Sequence, residues 1–199
     1  MPSQKNLMLS SEPFKAFDKE LTKERALAKE LLFDFNSLRP NEYAKRSELL
    51  KRLLGKTPKS FLVEQPFHCD YGYNIEIGNK FYANVHLTIL DSAKVVIGEN
   101  VFIGPNVGIY TVSHPIHSEP RNQFFEIAKP ITIENNVWIG GSVVINPGIE
   151  IGRNSIIGSG SVVTKNIPEN VIAVGNPCKV LRSITEKDKT DFNNIQRTN

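Results

Sequence analysis

The feature of this chain that most restricts its fold is an aliphatic residue at every sixth position. Ile133, Ile139, Ile145, Ile151, Ile157 and Val163 follow one another at that step, Ile97, Ile103 and Ile109 form an earlier run, and Ile77, Ala83 and Ile89 a third. A helix repeats its apolar face about every 3.6 residues and a strand every two. A six-residue step with one aliphatic per unit describes a short strand and a corner, repeated, so this part of the chain reads as a hexapeptide solenoid. A longer rhythm counts its sides. Ile133-Glu134-Asn135-Asn136 and Ile151-Gly152-Arg153-Asn154 stand three hexapeptide steps apart, and Asn is among the few residues that tolerate the left-handed backbone of a sharp corner. Three flat sides per coil, and a mainly β fold, follow.

The period begins only after a boundary near Pro58, where the charge balance also changes. Residues 1 to 59 carry 13 Lys and Arg against 8 Asp and Glu, and the remainder 11 against 13. Two amphipathic helices are expected before the boundary. Ala28, Leu31, Leu32 and Phe35 share one face behind a Thr22 cap, and Tyr43, Leu50, Leu53 and Leu54 share a second that ends at Gly55. The expected organisation is a helical cap over residues 1–57, a solenoid over 58–182 with an external loop at 110–130, and a tail over 183–199 with a disordered end from Thr190 to Asn199. Glu134 stands where a small residue usually follows the core aliphatic, which predicts a locally distorted coil. A net charge of only +3 gives no electrostatic footprint for nucleic acid. Two distant cysteines and the lack of an apolar run of membrane length predict a soluble, reduced, cytoplasmic protein with no membrane partner.

The repeat fails between Tyr110 and Lys129, and long loops in compact repeats are usually functional. His114 stands there before Pro115, which restricts its backbone to extended conformations and aims the ring. Two readings stand for it: a general base, or a histidine closing the loop by a hydrogen bond. His117 reads as an exposed neighbour, and His68 and His86 as strand-surface residues without a role. A zinc site built from the four histidines lacks a further ligand close by in sequence. Cys69, beside Asp70, and Cys178 lack the surroundings of a nucleophile.

Several segments then carry a resemblance in order along the chain: Phe67-His68-Cys69-Asp70-Tyr71-Gly72-Tyr73-Asn74-Ile75, Phe81-Tyr82-Ala83-Asn84, Ser113-His114-Pro115, Asn136-Val137-Trp138-Ile139-Gly140, Ile145-Asn146-Pro147-Gly148, Val163-Thr164-Lys165 and Val174-Gly175-Asn176-Pro177. From about Met8 to Ile184 the sequence resembles the maltose and galactoside O-acetyltransferases, with Asp18, Leu21 and Arg25 matching the family's helical cap. The resemblance implies a left-handed parallel β-helix, acetyl-CoA as co-substrate with no metal, a sugar acceptor, and a homotrimer whose sites lie between subunits.

Residue by residue, the resemblance implies His114 as the base that deprotonates a sugar hydroxyl, and Asn84 as a donor to the developing oxyanion and a contact to acceptor and coenzyme. It places Asp70, Asp91 and the loop's Glu126 around the acceptor. Gly141, Ser159, Thr164, Lys165, Lys179 and Arg182 match coenzyme positions, the three cations being suited to phosphates. Trp138 is expected either to cover the coenzyme and acceptor or to fill a subunit interface. Asp70 follows the maltose branch, where galactoside enzymes place Ser, and Ser92 stands where the galactoside branch uses an acid. Phe124-Phe125 replaces smaller residues, which implies an acceptor pocket that is reshaped or more apolar. The competing readings are an acetyltransferase for a non-sugar acceptor, a zinc-dependent trimeric hydratase, and a non-catalytic β-helical scaffold.

Overall fold

The computed structural model describes residues 2–189; the expected disordered end from Thr190 to Asn199 lies outside them. From Phe61 onward the chain winds a parallel β-helix with three faces, of four, five and seven strands. The six-residue aliphatics point inward. Ile97, Ile133 and Ile151 stack on the four-stranded face, Ala83, Ile103, Ile139 and Ile157 on the seven-stranded face, and Cys69, Ile89, Ile109, Ile145 and Val163 on the five-stranded face. All belong to one buried core. In-register stacking buries each aliphatic against its counterparts one coil away, near the ~4.8 Å strand spacing.

The Asn corners take the conformation their composition suggests. Asn100, Asn136, Asn154 and Asn170 have φ of 53°, 60°, 57° and 59°. Their side-chain amides form a ladder along one edge, Asn100 donating to Asn136 at 3.0 Å, Asn136 to Asn154 at 3.0 Å and Asn154 to Asn170 at 2.9 Å. Glu134 does not distort its coil, contrary to expectation. Its carboxylate accepts the Arg153 backbone N–H at 2.8 Å, and Ile133 keeps its register with Ile151.

The N-terminal segment carries helices α1 (Gln4–Leu9), α2 (Lys19–Ser37) and α3 (Tyr43–Leu53). Sequence reading missed α1, which is too short to show a period. It also set the start of α2 too late: Asp18, not Thr22, is the N-cap, its carboxylate accepting the Glu20 N–H at 2.9 Å. The face expected on α3 is altered at its start, because Tyr43 is exposed while Arg46 is buried, donating to Val63 O and to the Glu64 carboxylate. Ala28, Leu32, Phe35, Leu50 and Leu53 join the solenoid core and cover its first coil. At the other end Lys179–Ser183 pairs antiparallel with Val171–Val174 and closes the seven-stranded face, so that face does not end on a parallel ladder strand.

Coils approach each other most tightly where glycine follows a core aliphatic. A Cβ on Gly78 would lie 2.4 Å from the Gly98 carbonyl carbon, and that neighbour is backbone that cannot swing aside. Gly78→Ala therefore destabilises the fold by about 1–3 kcal/mol, the usual cost of overpacking. Chemical denaturation of the variant checks this, and an unchanged midpoint contradicts the close-stacking account.

Candidate active site

All the extra chain in the solenoid leaves from one corner, between the five-stranded and four-stranded faces. Ile145 pairs with Val163 eighteen residues on, Cys69 with Ile89 twenty on, and Ile109 with Ile145 thirty-six on. The corner therefore holds two extra residues in each of two early coils, between Cys69 and Ile77 near Asp70 and between Ile89 and Ile97 near Asp91, and a further coil's length after Thr111. That longest insertion is tied down. Val112–Ser113 pairs antiparallel with Phe125–Ala128, whose other edge pairs with Phe14–Lys15 of the N-terminal segment. Beneath this small sheet lies a second core of Met8, Phe14, Ala16, Leu21, Tyr71, Ala93 and Ala128. The cap thus clamps the loop as well as covering the coil.

At the loop tip the short helix α4 (Ser118–Asn122) is capped by His117, whose Nδ1 accepts the Glu119 N–H at 3.3 Å. Arg121 donates to Pro115 O and Ile116 O at 3.2 and 2.9 Å, fixing the turn after His114. Phe124 has a φ of 62°, and its ring meets Phe17 of the cap edge-on at 4.9 Å. Lys15 sits over the Phe125 ring at 5.5 Å. These two aromatics bind loop to cap.

The structure brings His114, Glu126 and Asp70 together. Ser113 stands opposite Ile127 in the ladder, so His114 follows opposite Glu126, and Nε2 lies 3.9 Å from the Glu126 carboxylate, the imidazole side chain 57% exposed and the Glu side chain 19%. Burial raises the Glu126 pKa, an effect opposed by His114 and reinforced by Asp70. Burial likewise raises Asp70, while Arg25 and Lys29 of α2 pull it down. Asp70 also lines a groove of about 500 Å³ against α2, with Lys29, Phe33 and His68. Sequence reading gave Arg25 only a place in the cap. Here its guanidinium donates to the Tyr71 hydroxyl at 2.5 Å and to Ala16 O at 2.6 Å, and burial pushes that phenol up to about 12 against the pull of Arg25.

Asp91 requires a correction. It is 0% exposed and so cannot touch an acceptor. Its Oδ1 accepts the backbone N–H groups of Asp70 and Tyr71 at 3.0 and 2.8 Å, and its carbonyl accepts from Asn74 Nδ2 at 2.7 Å. Asp91 is the post that holds the corner bearing Asp70. Ser92 is buried as well. Thr111 does similar work one coil on, accepting from Ala93 N and donating to Leu90 O.

The expected coenzyme residues lie elsewhere. Asn84 follows the strand Phe81–Ala83 at the corner between the seven-stranded and five-stranded faces. Its Oδ1 accepts the Val85 N–H at 2.7 Å, which leaves Nδ2 as the side chain's donor group. Asn84 and Trp138 line a groove of about 420 Å³ with Tyr82, Phe102 and Gly104. Gly141 and Ser159 continue the same corner: a Cβ on Gly104 would meet Gly141 N, and one on Gly140 would meet Ser159 N, each at 2.6 Å. Thr164 and Lys165 are exposed after Val162–Val163, two coils below the root of the loop. Lys179 and Arg182 lie on the closing strand. Arg182 is already engaged, both Nη atoms donating to Asp188 at 2.9 and 2.7 Å, so a phosphate there competes with a carboxylate.

Sequence reading missed Tyr82 and Phe102. Their signal is the residue before each core aliphatic, where Tyr82, Phe102, Trp138, Ile156 and Ile172 form one outward ladder on the seven-stranded face. The same position on the four-stranded face reads Glu76, Val96, Thr132 and Glu150. His68 and His86 are exposed. Cys69 and Cys178 are buried, and burial raises both thiols, Cys69 strongly. Among the described residues no group of three or more His, Cys, Asp or Glu side chains is placed to hold a metal ion, and no helix is long and apolar enough to cross a membrane.

The buried post makes stability depend on pH. Burial pushes the Asp91 carboxyl up to about 6, backbone N–H groups of the corner opposing and the Asp70 charge adding to the rise; its Oδ2 is buried with no partner among the described residues. The folded state thus holds this proton more tightly than the unfolded chain, where the value is ~3.9. Its stabilising effect is complete below about pH 4 and is lost as pH rises through about 6. Stability of the wild type relative to Asp91→Asn should fall by on the order of 2–3 kcal/mol between about pH 4 and pH 7. Denaturant titrations across that range test it, and a flat difference contradicts the unpaired carboxyl.

Comparison with known proteins agrees with this architecture. The maltose acetyltransferase hexapeptide capping motif matches residues 7–58, and the bacterial transferase hexapeptide (six repeats) matches residues 130–165. Galactoside O-acetyltransferase of Escherichia coli is 49% identical over 169 residues, covering 85% of this chain and 83% of that protein. The crystal structure of a maltose O-acetyltransferase from Clostridium difficile 630 is similar with a TM-score of 0.91 and 49% identity, covering 93% of this chain and 99% of that one. A galactoside acetyltransferase in complex with coenzyme A gives a TM-score of 0.92 and 46% identity, covering 95% and 94%. With a relative 49% identical over most of its length and the capping and hexapeptide motifs both matched, the chain belongs to the hexapeptide-repeat sugar O-acetyltransferase family that includes the maltose and galactoside enzymes.

Proposed function

We propose that this enzyme transfers the acetyl group of acetyl-CoA directly to a hydroxyl of a sugar, with His114 as general base. The observation that carries the reading is the loop-borne His114. It is held extended before Pro115, fixed by Arg121, and faces the carboxylates of the same corner. Coenzyme A supplies an activated thioester, so no enzyme nucleophile is needed, and the raised thiols of Cys69 and Cys178 suit idle cysteines. As the acceptor oxygen attacks the carbonyl carbon, its O–H bond breaks and the proton passes to the imidazole. The C–O bond forms, the C–S bond breaks, and the imidazolium returns the proton to the departing thiolate.

Asn84 Nδ2 is suited to donate to the oxyanion, and Asp70, whose raised pKa marks a partly buried carboxylate, is suited to fix acceptor hydroxyls. Gly141 and Ser159 let the coenzyme lie close to the backbone, Trp138 covers it, and Thr164, Lys165, Lys179 and Arg182 meet its anionic end. Asn84 and His114 lie on different corners, separated by one side of the prism, roughly 20 Å for six extended residues. One chain therefore does not bring the oxyanion donor to the base, and a second copy does if neighbours pack corner to corner. The exposed aromatic ladder through Tyr82, Phe102 and Trp138, the last two 52% and 54% exposed, supports a cyclic homotrimer built on the seven-stranded face.

His114→Ala should lower kcat by about 10²-fold or more while KM for acetyl-CoA changes little. Steady-state kinetics with thiol release as the readout decide this, and near-wild-type turnover in a folded variant removes His114 from its role.

A further inference from the structure

Glu126 presents a carboxylate whose placement is more constrained than an acceptor contact needs. Its strand is the middle one of three, paired on one side with Val112–Ser113 and on the other with Phe14–Lys15, where Phe14 stands opposite Glu126 itself. Its backbone is therefore pinned from both edges. The side chain is largely buried, and among the described residues no hydrogen-bond donor reaches its carboxylate. Four groups face it. Arg25 of α2 approaches and favours its charge, with one N–H of each Nη held by the Tyr71 hydroxyl and Ala16 O; Asp70 and Tyr71 at the corner are acidic groups that repel its charge when ionised. Of the two groups that favour this charge, the imidazole of His114 acts more strongly than Arg25 and is the one within ion-pair range, with Nε2 at 3.9 Å. The gap exceeds a hydrogen bond by about 1 Å, and the imidazole, 57% exposed, would have to rotate toward the carboxylate to close it. At the loop tip Arg121 is turned to the backbone carbonyls of Pro115 and Ile116, and Glu119 lies on the short helix that His117 caps.

We propose that Glu126 is a positioning residue that acts through His114: its carboxylate orients the imidazole and stabilises the imidazolium formed when the ring takes the acceptor proton. A ring that donates Nε2–H to Glu126 presents Nδ1, unprotonated, to the hydroxyl. The proton received there makes the ring cationic beside a fixed anion, so the interaction strengthens as the transition state is approached. When the thiolate takes the proton the ring returns to its starting form, and Glu126 stays ionised throughout. This assignment rests on the general-base reading of His114 and moves Glu126 from acceptor contact to support of the base.

The test is Glu126→Gln in the full-length enzyme, which keeps size and strand pairing and removes the charge. Kcat should fall about tenfold, KM for acetyl-CoA should stay unchanged, and the acid limb of the pH profile of kcat/KM should move to lower pH by about one unit, because a negative neighbour no longer favours the protonated ring. In a His114→Ala background the same substitution should change the residual kcat less than twofold, since the pair acts as a unit. Glu126→Leu repeats the measurement with an apolar side chain if the Gln variant melts early. A raised acceptor KM with kcat and the acid limb unchanged would overturn the proposal in favour of a plain sugar contact. A full tenfold loss persisting without His114 overturns it too. A wild type that turns over no acetyl-CoA with any sugar instead removes the general-base reading on which the proposal rests.

Discussion

Everything in this molecule follows from the requirement that each coil satisfy the backbone of the next. In a parallel β-helix the strand N–H and C=O groups point along the stack, so a coil can neither lengthen a side nor shift its register without leaving polar groups unpaired in the interior. Extra chain can leave only at a corner. Here every large departure uses the same corner, first as the insertions that hold Asp70 and Asp91 and then as the loop that carries His114. The candidate site is the place where the repeat is allowed to fail, and the residues around it repair that failure. Asp91 and Thr111 accept the backbone N–H groups that the longer corners leave over. The N-terminal strand completes the loop's small sheet.

This repair explains why the cap and the chemistry are inseparable. Helix α2 covers the first coil with Ala28, Leu32 and Phe35 and turns Arg25 and Lys29 toward Asp70. The segment before it closes over Tyr71, Ala93 and Ala128. Removing the cap would both open the solenoid end and release the strand that pins Glu126. The carboxylates beneath it are held partly desolvated, which raises Asp70, Asp91 and Glu126 alike. That cost is acceptable where a site must interact strongly with a sugar or with a transient imidazolium, since a dry site strengthens every such contact.

The solenoid was legible because its period is strict, and the Asn corners were legible because Asn at a fixed offset has a conformational reason to be there. His114 was legible as the histidine before a proline in the segment that breaks the period. What sequence concealed was depth. Asp91 and Asp70 look alike on paper, and only the fold shows that one is a buried post and the other faces the α2 groove. Arg25 and Glu126 come together across about 100 residues of chain through strand pairing that no local pattern announces. Tyr82 and Phe102 were visible as aromatic partners of the repeat, but the reading followed the inward aliphatics and passed over the outward ladder. Phe124 and Phe125, whose role the sequence left open, fasten the loop to the cap.

The central claim is that no single chain holds a complete site: the base comes from the loop corner of one copy and Asn84 from the opposite corner of its neighbour. Mixing two inactive full-length variants, His114→Ala and Asn84→Ala, by joint unfolding and refolding tests this directly. Random reassembly into closed trimers leaves about a quarter of the sites with both groups intact, so activity should return toward that fraction of wild type. A mixture that refolds into trimers and stays as inactive as its parents would contradict the shared site.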